Sequence, residues 1–273
     1  MDWLSALTAL RAEGRPAVLV TVTRTRGHAP RDAGAKMLVT EQDSVDTIGG
    51  GNLEATVIER AREMLRHGDR RPELMEMKLN PHAPARHGRQ CCGGEAEVLL
   101  EPQLVAPCVA IFGIGHVGFE LAHLLRRHRV ALHLVDSRAD QVAADRLGAL
   151  PDGPARVQGH HAPAPETVLR DLPVGAHVLI MTHDHAEDLV LCEAALQRGG
   201  ELGSVGVIGS DAKWSRFRVQ LREAGHEEAA IDRIDCPLGL AGVGGKEPAV
   251  IALSAAAALM ASLQHAEEAA PAG

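Results

Sequence analysis

Aromatic side chains are nearly missing from this sequence: among 273 residues there are three phenylalanines, two tryptophans and no tyrosine. So few flat rings leave little material for the stacking platforms on which single-stranded nucleic acid is held. The missing tyrosine also removes the Tyr/Lys proton relay used by many short-chain dehydrogenases. No long run of lysine or arginine occurs, and the formal net charge is −8, so an electrostatic footprint for DNA or RNA is absent. Long apolar runs are lacking too. The most apolar stretch, 251–263, is Ala-rich, is broken by Ser254 and Ser262, and is shorter than the about twenty residues that span a bilayer; it reads as a buried helix. The start, Met1-Asp2-Trp3-Leu4, has neither the basic region nor the unbroken apolar core of a signal peptide. Five cysteines, an odd number, fit reduced thiols better than a disulfide framework. The expectation is a cytoplasmic protein that engages neither nucleic acid nor a membrane.

What is present is core-forming material, since 45% of the residues are hydrophobic, enough for two domains. Residues 3–13 read as a helix and 16–23, rich in β-branched residues, as a strand. Shorter strands are expected at 35–40 and 45–48. A glycine turn, Ile48-Gly49-Gly50-Gly51-Asn52-Leu53-Glu54, then opens an amphipathic helix over 53–66, with Val57, Ile58, Ala61, Met64 and Leu65 at helical spacing. Strands at 72–79 and 95–101 flank a Pro-, His-, Arg- and Gly-rich loop ending in Cys91-Cys92-Gly93-Gly94. Residues 103–107 read as a linker. Beyond them strands at 108–112, 130–136, 155–158, 176–182 and 202–208 alternate with helices, including 187–198 and 211–224. That alternation predicts an α/β fold: a C-terminal Rossmann-like doubly wound parallel sheet with a smaller N-terminal α/β domain. The expected boundaries are 1–102, 103–263, and a disordered tail over 264–273.

Chemistry-bearing residues collect where ligands of such sheets bind. The apolar strand from Cys108 runs straight into Gly113-Ile114-Gly115-His116-Val117-Gly118, the G-x-G-x-x-G turn whose glycines permit a tight bend, a close phosphate and close helix packing. Asp136 ends the next strand, with Arg138 behind it, at the distance expected for a ribose contact. Thr182-His183-Asp184-His185 follows another strand. Two imidazoles around a carboxylate suit metal or proton transfer, whereas a plainer reading makes Thr182 or Asp184 the cap of the following helix. At a third strand end Gly209, Ser210 and Lys213 offer backbone donors, a hydroxyl and a cation to an anion, with capping by Ser210 the alternative. Near the final helix, Cys236-Pro237 and Gly244-Gly245-Lys246-Glu247-Pro248 add a thiol and a lysine. The vicinal pair Cys91 and Cys92, near Arg86 and Arg89, is expected to be partly exposed with raised thiolate content. Thiolates are soft ligands, but no second pair stands at zinc-finger spacing. Cys108 and Cys192 read as packed and inert.

These motifs, together with Gly27-His28-Ala29-Pro30-Arg31, resemble in content and order the XdhC/CoxI family over about residues 5–262. The resemblance implies an accessory, maturation protein, not an enzyme, which binds the molybdenum cofactor (molybdopterin), holds it for sulfuration with a cysteine desulfurase, and inserts it into apo-xanthine dehydrogenase or a related molybdenum hydroxylase. Gly49, Gly50, Gly51, Asn52, Gly113, Gly115, His116, Gly118, Asp136, Arg138, His183, Asp184, His185, Gly209, Ser210, Lys213 and Lys246 would then hold the cofactor. Cys91 and Cys92 would meet molybdenum or pass sulfur. The alternatives are an NAD(P)-dependent oxidoreductase and a nucleotide-binding regulatory protein, because the Rossmann turn suits a nucleotide as well. A homodimer is the candidate assembly.

Overall fold

The computed structural model describes residues 2–78 and 94–269. They fall into two compact units, residues 2–105 together with 268–269, and Ala106–Glu267.

The first unit is an antiparallel sheet between two helices. Asp2 caps α1 (Trp3–Glu13) by accepting from Ser5 N, and Gly14, left-handed at φ 67°, ends it; only a residue without Cβ adopts that conformation at no steric cost. The strands β1 (Ala17–Arg26), β2 (Lys36–Val39) and β3 (Ser44–Asp46) come next, followed by α2 (Gly51–His67), β4 (Glu73–Lys78) and β5 (Glu95–Gln103). Their order is β3-β2-β1-β5-β4. Alternate residues face opposite ways: Val18, Val20 and Val22 pack with Leu53, Val57, Ala61 and Met64 of α2. Ala17, Leu19 and Leu38 on the other face meet Ala6, Leu7 and Leu10 of α1. Two expectations shift. Ile48 belongs to the glycine turn and not to a strand, and β5 continues to Gln103, into the expected linker.

The second unit runs β6 (Cys108–Phe112), α3 (His116–Leu125), β7 (Ala131–Asp136), α4 (Ala144–Leu147), β8 (Arg156–His161), α5 (Pro165–Arg170), β9 (His177–Ile180), α6 (His185–Gln197), β10 (Ser204–Val207), α7 (Asp211–Glu223), α8 (Glu228–Ile231), β11 (Ile234–Asp235) and α9 (Pro248–Ala269). The sheet order is β11-β10-β9-β6-β7-β8, with every pair parallel. The chain therefore winds outward from β6 to one edge, returns, and winds outward from β9 to the other. Strand order reverses between β6 and β9, the place where such sheets open a crevice at their carboxyl ends. Both faces are covered. Val109 and Ile111 of β6 pack with Leu121, Ala122 and Leu125 of α3 and with the small residues Ala252, Ala255 and Ala256 of α9. Ala110 and Phe112 point the other way, toward Leu169 of α5, Leu191 and Cys192 of α6, and Phe217 of α7. Buried on both sides, β6 and β9 are apolar at every position but His177, as a central parallel strand must be. The helix α9 runs to Ala269, past residue 264 where the tail is expected to begin. No helix among the described residues is long and apolar enough to cross a membrane.

Candidate functional site

Backbone geometry accounts for the first glycine of the Rossmann turn. Gly113 has φ 96°, and a Cβ there would collide with Met181 O and stand 2.5 Å from Thr182 Cα, so the ends of β6 and β9 meet backbone to backbone. A Cβ on Gly118 would strike Gly113 O, which keeps α3 close to its strand. Gly115 differs. A Cβ there would find nothing nearer than Arg138 Nη2, 4.0 Å away. The space over Gly115 is open and a guanidinium borders it. The α3 N-terminus has no side-chain cap, leaving helix N–H groups to face that space.

Asp136 holds this arrangement from below and does not offer itself to a ribose. It is 1% exposed. Its Oδ2 accepts from Ile114 N at 2.7 Å and Arg138 Nη2 at 2.9 Å, and its Oδ1 accepts from Arg138 N and Nε, both at 2.9 Å. Each oxygen thus receives two donors. Burial pushes the carboxyl pKa up, but the hydrogen bonds from Arg138 and Ile114 outweigh it and hold the group below the usual carboxylate range. The same bonds raise the Arg138 pKa. Glu187, in the first turn of α6, lies within electrostatic reach of Asp136 and Arg138. Burial raises its pKa; the charges of Asp136 and Asp188 add to this, while Ser137 and His183 act against it.

Around β9 and β10 the site is built on a buried ion pair. Asp188 is fully buried and Lys213 is 6% exposed. Lys213 Nζ lies 2.5 Å from Asp188 Oδ2 and donates to Ile208 O at 2.9 Å. Asp188 Oδ1 accepts from Thr182 N at 3.0 Å and from Thr182 Oγ1 at 2.7 Å. One carboxylate therefore ties the loop after β9 to the helix after β10. Above it lies a cavity of about 690 Å³, floored by Thr182, Gly209 and Lys213, and walled by the segment 237–245 and by Ile251 and Ser254 of α9. His183, His185 and Arg216 line it as well. The capping alternatives hold: Asp184 Oδ1 accepts from Ala186 N at 2.9 Å, and Ser210 Oγ from Lys213 N at 3.3 Å. A smaller cavity, about 440 Å³, adjoins His116, Phe119, Arg146 and Glu247. Lys246 is exposed and lines neither.

The other glycine turn is closed. Glu54 Oε2 accepts from Ile48 N and Gly50 N, both at 3.1 Å, and from Thr47 Oγ1. The chain's own carboxylate occupies the place where an external anion would bind, so Gly49, Gly50 and Gly51, with φ of 124°, 73° and 64°, serve the bend. Asn52 is 7% exposed at the start of α2. A Cβ on Gly49 would collide with Pro30, and one on Gly94 with the carbonyls of Arg26 and His28, 2.5 Å from the Arg26 oxygen. The loop 27–31, the glycine turn and the end of the Cys-Cys-Gly-Gly motif therefore converge in the first unit. Cys91 and Cys92 themselves lie outside the described residues. Cys108 and Cys192 are buried, and burial raises the thiol pKa of Cys108 to about 11 and that of Cys192 further.

Sequence reasoning missed Arg146, Glu187, Asp188 and Arg216. None belongs to a motif, and only the fold brings Asp188 to Lys213, 25 residues on.

Residues 109–259 match the XdhC Rossmann domain, and residues 10–77 match the XdhC and CoxI family. The chain belongs to the XdhC and CoxI family. The chain is also similar to "Uncharacterized protein YqeB" of Escherichia coli (strain K12), with 24% identity over 265 residues, which are 95% of this chain and 46% of that protein. The chain thus spans about half the length of that relative. A crystal structure titled as a xanthine dehydrogenase from Bacillus halodurans is similar over 100% of this XdhC-type chain and 98% of that one, with a TM-score of 0.49 and 19% identity.

Proposed function

We propose that this XdhC-family chain is a maturation factor that holds the molybdenum cofactor for sulfuration by a cysteine desulfurase and passes it to apo-xanthine dehydrogenase or a related molybdenum hydroxylase. The observation that carries the proposal is the contrast between the two glycine turns. One is filled by Glu54, while the other is uncapped, open over Gly115 and bordered by Arg138. A phosphate fits the second: helix N–H groups point at it and a guanidinium stands beside it. Among the described residues no group of three His, Cys, Asp or Glu side chains could hold a metal ion, so those residues would grip the cofactor by its phosphate and ring. When bound, the cofactor supplies the oxo and sulfido chemistry of molybdenum to the client. Cys91 and Cys92 are the proposed thiols for contact with molybdenum or for sulfur transfer. The dehydrogenase alternative loses its ribose anchor, because both Asp136 oxygens already receive two donors each.

Purification from a molybdenum-competent host, followed by assay of pterin and metal, tests the proposal. Pterin near stoichiometry is expected for the parent and a marked loss for Gly115→Val, whose Cβ would meet nothing nearer than Arg138 Nη2 at 4.0 Å and whose φ of −70° is ordinary, but which blocks the approach of a phosphate. Client made without the chain should assemble yet stay inactive, as apoprotein or desulfo enzyme. Absence of pterin from the parent, or a fully active client without it, would defeat the proposal.

A further inference from the structure

The cavity over β9 and β10 differs in chemistry from the open turn at α3. Among the described residues its lining contains no aspartate or glutamate, in a chain whose formal net charge is −8. The cations there are Lys213 and Arg216, and two imidazoles, His183 and His185, stand with them. Lys213 is not a solvated surface lysine. It is 6% exposed, its Nζ is held by Asp188 Oδ2 and Ile208 O and stands 5.2 Å from the centroid of the Phe217 ring, and its side chain lines the cavity. A buried ammonium is costly unless paired; Asp188 supplies the pairing and so positions the donor. Ile208, Leu238, Leu240, Val243 and Ile251 supply an apolar wall. That wall is anchored: Leu238 N donates to Val207 O at 2.9 Å, and Leu240 N to Ser254 Oγ at 2.9 Å. Gly239, at φ 134°, has no room for a Cβ against that hydroxyl. The backbone over the cavity is therefore held in place before any ligand arrives.

A wide cavity with one apolar wall and a fixed cationic donor on its floor matches a flat heteroaromatic ring that carries carbonyl or carboxylate acceptors. A bare phosphate would leave the apolar wall unused, and an apolar ring without acceptors would leave Lys213 without a contact. The volume, about 690 Å³, lies within the range of small-molecule sites, roughly 300–1,000 Å³. We infer that this cavity binds the ring-bearing end of the ligand, with Lys213 as its polar contact, Asp188 as the residue that positions Lys213, and Arg216 as the charge at the rim. Resting on the proposed function, the inference names that end as the pterin. Phosphate and ring then occupy separate places on the carboxyl edge of one sheet.

The test uses two probes with the full-length protein: pterin-6-carboxylate, which is fluorescent and carries neither phosphate nor metal, and inorganic phosphate. Pterin-6-carboxylate should bind saturably, with its Kd raised about tenfold by Lys213→Gln and about threefold by Arg216→Ala, and unchanged by Gly115→Val. Phosphate affinity should fall in Gly115→Val alone. Arg216 is exposed, so its variant reports on the cavity even if Lys213→Gln, which leaves Asp188 unpaired, fails to fold. Failure of the parent to bind the pterin probe, or equal binding by the parent and the Arg216→Ala variant, would overturn the inference. Binding of the probe through Lys213 by a protein that acquires no cofactor in a competent host would uphold the cavity and defeat the proposed function. Cofactor acquisition without binding of the probe would do the reverse.

Discussion

Replacing Asp136 by asparagine tests whether one buried carboxylate organises the mouth of the Rossmann turn. Both oxygens accept two donors each, from Ile114 N and three nitrogens of Arg138. An asparagine keeps one oxygen and turns an NH2 toward two N–H donors, whichever way the amide is flipped. Two hydrogen bonds to a charged group, each worth about 1.5–3 kcal/mol, are lost, and two like donors are brought face to face. Water can take over part of the guanidinium, whose side chain is 35% exposed, and this lowers the cost. The expected destabilisation is about 3 kcal/mol, the low end of the range for breaking a fully buried pair. Urea unfolding followed through Trp214, which packs on the core of the second unit, reads it cleanly in a Trp3→Phe background. The pH dependence has a defined sign. The Asp136 pKa is depressed in the folded state, so its contribution is complete above the unfolded value of about 3.9 and is lost as pH falls through the folded value. The gap between parent and variant should therefore be widest at neutral pH and should narrow from pH 5 downward. A gap below about 1 kcal/mol at pH 7, or one that does not shrink by pH 3, would refute the role given to Asp136.

The Rossmann order was legible because each central strand carries its own signal. The residues Cys108 to Phe112 are all buried, so they had to be uniformly apolar, and the glycines after them mark places where a Cβ has no room, as at Gly113 and Gly118. Roles were harder to read than positions. Asp136 ends its strand where a ribose-binding acid stands, yet Arg138, two residues on, takes up the carboxylate; sequence spacing cannot say which donor wins. Gly49 to Gly51 look like an anion cradle, but Glu54 turns back one helical turn into it. The acid was in view in the motif, and an acidic residue at that position in the first turn is the signal that could have separated a filled turn from an open one. Asp188 and Arg216 had no such signal. Their place in the site comes from the parallel pairing of β9 with β10, the strands that α6 and α7 follow, a property of topology and not of local pattern.

Glu54→Ala should cost the first unit about 1–3 kcal/mol, the scale for leaving a turn's N–H groups without their acceptor, while phosphate binding by the full chain stays unchanged in calorimetric titration; a fall in phosphate affinity would show that the Gly49–Gly51 turn is a ligand site after all. The double Cys91→Ala/Cys92→Ala variant should lose client sulfuration or cofactor retention, whereas Cys192→Ala, at a fully buried position, should change stability alone; parental client activity in the double variant would remove the thiol role. Glu187→Gln should strengthen phosphate binding at the α3 turn. The Glu187 carboxyl is raised by burial and by the charges of Asp136 and Asp188, and it acts on Arg138 as a competing anion. When ionised it repels a phosphate and weakens the field of the guanidinium; when protonated it does neither. Because protonation of phosphate itself, at about pH 6–7, affects parent and variant alike, the ratio of the two affinities isolates Glu187: the advantage of the Gln variant should be several-fold at pH 8 and should shrink as pH falls toward and through the raised pKa of Glu187. A Gln variant that binds phosphate more weakly than the parent at pH 8 would mean that Glu187 assists the anion, and that the crevice at β6 and β9 is not organised by Arg138.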